Sequence, residues 1–383
     1  MLERIFRIGE YWSTATFFLL LFLGIAIALC CGYAAPCPGR LFRRRKVLTV
    51  DSKGFVYFLV FLILWGLYTF RDVSTGADTQ TYVDLFLNAS GFQFDFQRFL
   101  AFKQNEILYD LLTIAVRAFT DNYRIYFAIV GIFIGYAYVR FFRSYWEKGT
   151  SIVFLILFVL VYQYNFAALR SALGEMFLLI SLCNMAEKKF RKALVLSIIG
   201  SLFHYTILIN IFFVIFYKCV LKRNSLNKRR LYCITAMCVV IFLIAVPVVR
   251  TILLRTRYRT YAANQSFRII GYWYVFVTLI IAFVAIKKKG YYNDKMSIAI
   301  AASFFSVILV FIAGSLGAYR LVGYYALVRY NLWDRSLDLF FKNKTIRGQY
   351  KVVAFCLVLL FFAYQMGRNS EVPGFAYRLG ELI

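Results

Sequence analysis

Apolar runs of spanning or near-spanning length recur along almost the whole chain, separated by short polar stretches. They begin near residues 13, 54, 123, 151, 171, 190, 205, 231, 268, 297, 320 and 351. A helix needs about 20 apolar residues to cross a bilayer core, and lipid tolerates no unpaired backbone, so such runs read as helices. The pattern predicts an all-α polytopic integral membrane protein. It has about 12 transmembrane helices and forms a single transmembrane domain over 1–383. The run from Ser13 to Ala35 is too long for a signal-peptide core and reads as an uncleaved anchor. The runs 190–204 and 205–220 are short, and predict a helical hairpin that turns at His204.

One segment follows another rule. Over 106–119, Glu106, Asp110, Thr113 and Arg117 recur on one helical face, with Leu108, Leu111, Leu112, Ala115 and Phe119 opposite. This predicts an amphipathic helix lying on the outer surface rather than a span.

Charge supplies the sidedness. The loops 38–53, 140–150, 187–193, 218–230, 287–295 and 335–351 hold 28 of the 45 Lys and Arg residues. The excess of basic residues in cytoplasmic loops places them inside. The net charge of +27 is then a topology signal and not a nucleic-acid footprint. Only 16% of residues are charged and 62% are hydrophobic, where a soluble domain of this size carries about a quarter charged. On this topology both termini face outward. Lysine and arginine also separate. Of 17 lysines only Lys103 falls outside, and every other outer basic residue is arginine. Arginine holds a phosphate or carboxylate through a planar fork; the alternative is that outer arginines pair with acids in their own loops. Eight cysteines without a CxxC pair, and one histidine, give neither a disulfide framework nor a metal-ligand set.

Candidate chemistry gathers in the outer segments. The first outer loop, 71–122, opens Arg71-Asp72-Val73-Ser74-Thr75-Gly76-Ala77-Asp78-Thr79-Gln80-Thr81-Tyr82 and carries seven acids against four bases from Arg71 to Asp121. Carboxylates accept hydrogen bonds from sugar hydroxyls and can take a proton from an attacking hydroxyl; the plainer reading is a solvated loop with Asp78 capping the next helix. The Arg-rich loop 250–268 holds Arg250, Arg255, Arg257, Arg259 and Arg268 with no acid, among Tyr258 and Tyr261. It suits either a phosphorylated, sugar-bearing ligand or anionic lipid headgroups. Arg170 and Arg320 stand at outer ends of apolar runs, where ionisable groups usually mark a site. Arg170 has two other options, pairing with Glu175 or snorkelling to the interface. Arg329 follows Arg320 about two turns deeper in the same predicted helix. His204, the single histidine, is either a hydrogen-bonded structural residue or a base or donor near neutrality.

In order along the chain, these marks resemble the Wzy-type bacterial polysaccharide polymerases, most closely the EpsG-like branch. The resemblance rests on Arg71 followed by Gly76-Ala77-Asp78 and Tyr82, on Glu106 opening a helix, and on Leu169-Arg170-Ser171-Ala172. It continues through the lysine-rich turn at 187–192, Phe203-His204-Tyr205, and Arg320 with Tyr324. Two positions depart from the pattern: the branch usually has Thr where Ala77 stands and Gln where Ser171 stands.

The resemblance implies a glycosyltransferase C-type-like fold and a multi-pass enzyme of the bacterial inner membrane that acts on its periplasmic or outer face without a metal or cofactor. It further implies transfer of a growing glycan from undecaprenyl pyrophosphate to the non-reducing-end hydroxyl of a new lipid-linked repeat unit. If the donor linkage is α, in-line attack inverts it. Membrane lipids, a chain-length regulator and a flippase are the implied partners. For that chemistry Arg170, Arg255, Arg257 and Arg320 are candidates to hold the departing pyrophosphate. Asp78, His204 and Glu106 are candidates for the proton acceptor, with no choice between them. Arg71, Asp72, Tyr82, Tyr258 and Tyr324 are candidate supports or sugar contacts. The alternatives are an O-antigen ligase, with the same donor and another acceptor, and a transporter or flippase of lipid-linked oligosaccharides.

Overall fold

The computed structural model describes residues 52–75, 78–89, 106–145, 161–162, 164–166, 168–222, 225–253, 273–287, 294–316, 320–340, 349–350 and 353. Apart from one two-residue antiparallel ladder (Leu221–Lys222 with Ser225–Leu226) these residues form helices and turns. Among the described residues three helices are long and apolar enough to cross a membrane, over Tyr123–Tyr145, Leu169–Ala186 and Asp294–Ala313. Shorter apolar helices cover Tyr57–Thr69, Tyr205–Val220 and Tyr274–Lys287. The run expected near 13, and most of those near 151 and 351, lie outside the described residues, so the count of about twelve spans is not reached among those described.

The first described helix, α1 (Ser52–Thr69), packs against α4 (Tyr123–Tyr145). Trp65 Nε1 donates to the Ala128 carbonyl at 3.0 Å, and Tyr162 OH donates to the Leu64 carbonyl at 2.7 Å. Both satisfy polar atoms that lipid would leave unpaired. Between them in sequence come two short helices, α2 (Thr79–Asn88) and α3 (Ile107–Arg117).

The central element is the antiparallel pair α5 (Leu169–Ala186) and α6 (Phe190–Phe203). They approach closely because Gly174 and Gly200 face each other. A Cβ on Gly174 would meet Ile207 Cγ1 at 2.7 Å and His204 Cβ at 3.0 Å, and one on Gly200 would meet Phe177 Cβ at 2.9 Å. Small residues allow such backbone contact between membrane helices. The chain stops α6 at Phe203, turns at His204, passes a single 3-10 turn (Tyr205–Leu208) and resumes as α7 (Ile209–Val220). Then follow α8 (Lys228–Leu253), α9 (Trp273–Lys287) and α10 (Asp294–Leu316). The apolar run near 320 is interrupted: α11 (Arg320–Gly323) ends before Tyr324, and α12 (Ala326–Phe340) restarts after Tyr325. Arg320 and Arg329 therefore do not share one continuous helix.

The helix ends sort into two groups. At one end, Lys188 pairs with Asp294 at 3.4 Å and Tyr217 OH donates to the Asp294 carbonyl at 3.5 Å, joining basic turns far apart in sequence. At the other end of α5 and α6 lie Arg170 and His204.

The amphipathic segment is helical, but its orientation is the reverse of a solvated surface helix. Glu106, Asp110 and Thr113 are buried, whereas Ile107, Leu111 and Phe119 are exposed, Phe119 to 90%. Thr113 Oγ1 donates to the Tyr109 carbonyl at 2.9 Å and lies 3.0 Å from Tyr126 OH. The polar face points into the protein, and an apolar face is left for lipid.

Candidate active site

Glu106 precedes the first turn of α3 in extended conformation (ψ 137°), and its carboxylate enters the protein interior. One oxygen, Oε2, accepts from Arg170 Nη1 at 3.1 Å, and the other, Oε1, lies 2.9 Å from His204 Nδ1. The loop, the start of α5 and the turn after α6 thus meet at one carboxylate, across 64 and 98 residues of sequence. Burial pushes the Glu106 carboxyl up. The His204 hydrogen bond and the charges of Arg170 and His204 outweigh that and hold it below the ordinary carboxylate range. A carboxylate on Nδ1 draws the proton of a neutral imidazole to that nitrogen, and leaves Nε2 as the lone-pair atom.

Aromatic rings complete the surroundings. The Arg170 guanidinium lies 6.0 Å from the Tyr82 ring and 5.9 Å from that of Tyr109, and these two rings meet edge to face at 6.0 Å. Burial raises both phenols, with Arg170 pulling Tyr82 back, so both are neutral at physiological pH. The Arg170 side chain keeps 31% exposure, so a charged ligand can reach it. On the other side, Tyr324 OH lies 3.1 Å from Ser171 Oγ and 2.5 Å from Thr206 Oγ1. These are the neighbour of Arg170 and a residue of the turn begun by His204. Arg320 begins α11, about one helical turn before Tyr324.

Other candidates are placed elsewhere. Asp78 stands at the N-cap of α2 without a side-chain capping bond. Among the described residues no hydrogen bond or ion pair joins it to Glu106 or His204; its charge is felt by Tyr82. Asp72 accepts from Ser74 N at 2.9 Å and Ser74 Oγ at 2.6 Å, in a local turn. Arg71 is only 1% exposed and lies over the rings of Tyr68 at 4.1 Å and Phe127 at 4.3 Å. It is a buried cation caged by aromatics. Glu175 does not pair with Arg170: it accepts from Tyr138 OH at 3.3 Å, and Asn165 Nδ2 donates to that phenol at 2.7 Å. Arg255, Arg257 and Tyr258 lie outside the described residues. Among those described, no group of His, Cys, Asp and Glu could hold a metal ion.

The model of the EpsG family matches residues 54–379, most of the chain. The chain belongs to the EpsG family. This is a family of exopolysaccharide, Wzy-like polymerases, and with the apolar helices it marks a membrane protein of polysaccharide biosynthesis. No curated protein and no solved structure matches the chain.

In this EpsG-family chain the sequence reading overlooked Tyr109 and Thr206. Tyr109 follows Glu106 by three residues, so one helical face carries both. Thr206 carried no signal, because only the unpredicted break after Gly323 brings Tyr324 to it.

Proposed function

We propose that this protein is a polysaccharide polymerase that joins lipid-linked oligosaccharide repeat units at the outer face of the bacterial inner membrane, with undecaprenyl pyrophosphate as the leaving group. The observation that carries the reading is the buried carboxylate of Glu106 held between a guanidinium and an imidazole, within a family of polymerases.

The division of labour follows from the contacts. Glu106 is committed on both oxygens, so it orients rather than accepts the substrate proton. His204 Nε2 is the base: it takes the proton of the acceptor hydroxyl as that oxygen attacks the anomeric carbon. The bond between the anomeric carbon and the phosphate oxygen breaks as the new glycosidic bond forms, and the electron pair leaves with the diphosphate. Attack opposite the leaving group inverts the anomeric centre. Arg170, with Arg320 one turn from Tyr324, meets the growing negative charge. A preorganised donor in a poorly solvated site stabilises that charge more in the transition state than in the ground state. Arg255 and Arg257 are proposed as further contacts to the same diphosphate, and Arg71, Asp72, Tyr82, Tyr258 and Tyr324 as supports around the sugars. Asp78 is the weaker alternative for the base, since among the described residues no hydrogen bond or ion pair joins its side chain to Glu106 or His204.

The test is purified protein in nanodiscs given lipid-linked repeat units isolated from the producing cells. Longer lipid-linked glycans are expected. Transfer to lipid A core with no elongation would make it a ligase, and unchanged glycans that cross the membrane a flippase; either result overturns the proposal.

A further inference from the structure

Arg329 is fully buried in α12, and among the described residues no acid pairs with it. A buried cation is expensive, and such residues persist where they do a definite task. Its environment names the task. Nη2 donates to the carbonyl of Val322 at 2.8 Å, seven residues earlier, while the guanidinium lies 5.4 Å from the Tyr274 ring of α9. Val322 belongs to the four-residue α11, and the helix restarts only at Ala326, with Arg329 N taking the Tyr325 carbonyl at 3.1 Å. Carbonyls at the end of a helix lose their intrahelical donors, and where they are buried no water replaces them. The guanidinium supplies a donor across the gap.

The gap presents two consecutive tyrosines to different anchors. Tyr324 OH meets Ser171 and Thr206, beside Arg170 and His204. Tyr325 OH donates to Asn210 Oδ1 at 3.2 Å, and Asn210 Nδ2 bonds both Ser181 Oγ at 3.0 Å and Ser197 Oγ at 2.8 Å. The break is therefore pinned to α5, α6 and α7 on one side and by its own arginine on the other. We infer that Arg329 is a positioning residue, whose side chain holds the α11–α12 break in the shape that seats Tyr324 against Ser171 and Thr206. The inference rests on the proposed site only in its consequence for rate; the geometric claim stands apart.

The experiment joins an activity-free readout to a kinetic one. With 3-fluorotyrosine at position 324, Arg329→Met is expected to shift or split the fluorine resonance, and Arg329→Lys, which keeps a donor, to restore the wild-type signal. Met removes a buried charge at similar length, so melting in detergent should stay level or rise. In the elongation assay, Arg329→Met is expected to lower kcat about 10-fold with little change in KM, in line with the cost of small misplacements. Combined with Tyr324→Phe it should be no worse than the slower single variant. An unchanged fluorine signal in Arg329→Met overturns the inference, as does a rate loss that multiplies with that of Tyr324→Phe. A wild-type protein that elongates nothing defeats the functional reading alone, and leaves the fluorine result to decide this one.

Discussion

On the proposed mechanism Glu106 orients and His204 takes the proton, and substitution separates the two roles. His204→Gln can still bond Glu106 but presents no basic nitrogen, and is expected to lower elongation about 100-fold or more, within the range for general bases. Glu106→Gln cannot accept a proton-bearing Nδ1 at its amide nitrogen and loses the charge that steadies Arg170, so a smaller loss of roughly 10-fold is expected. If Glu106→Gln proves the more damaging in the elongation assay, the two roles are reversed. Arg170→Lys keeps charge but loses the planar fork. A loss of about 10²–10³ in rate is expected, and glycan ladders of normal length would exclude Arg170 from the leaving-group role. The lowered Glu106 carboxyl also has a sign in stability. A group whose folded value lies below its unfolded value stabilises fully above the unfolded value. That contribution disappears as pH falls through the folded one. Melting of wild type in detergent should therefore decline into the acidic range, and Glu106→Gln should decline less.

The pairing of α5 with α6 sets where His204 stands. A methyl on Gly174 would press on Ile207 and His204 together, and overpacking of this kind costs about 1–3 kcal/mol. Gly174→Ala is expected to lower elongation at least 10-fold, because the turn that carries His204 must shift. Normal rates with normal membrane insertion would show that the turn tolerates it. The hairpin turning at His204 and the span from Tyr123 were legible in the sequence, because their apolar runs end in basic clusters or at a lone polar residue. Glu106 and Arg170 were legible as candidates, since ionisable groups beside apolar runs are few. Their meeting was not, because it joins residues 64 apart and no local pattern encodes such a contact. The facing of α3 was not legible for a physical reason: amphipathicity fixes two faces and does not say which one meets protein. In water the polar face turns out, whereas beside lipid it turns in. The break between α11 and α12 was equally hidden, since neither Gly323 nor Tyr324 forbids a helix; at the break the Val322 carbonyl accepts from Arg329 Nη2, and the Tyr324 hydroxyl meets Ser171 and Thr206.

At the scale of the molecule, the two ends of the α5–α6 pair carry opposite chemistry. From Arg170 to Ala186 the helix rises about 24 Å, most of a hydrocarbon core of about 30 Å. One end holds Glu106, Arg170, His204 and Tyr324; the other holds the Lys188–Asp294 pair and the basic turns. Positive charge favours the cytosolic side, so the proposed site should open outward. Cys219 tests this directly, since it is exposed at the basic end of α7 beside Lys218. In a variant that keeps Cys219 as its sole cysteine, a membrane-impermeant maleimide should label inverted vesicles and spare intact spheroplasts. With Asn88→Cys instead, at the exposed end of α2, the pattern should reverse. Labelling of Cys219 from outside would turn the molecule over and set the site facing the cytosol. The proposed polymerisation at the outer face would then be overturned.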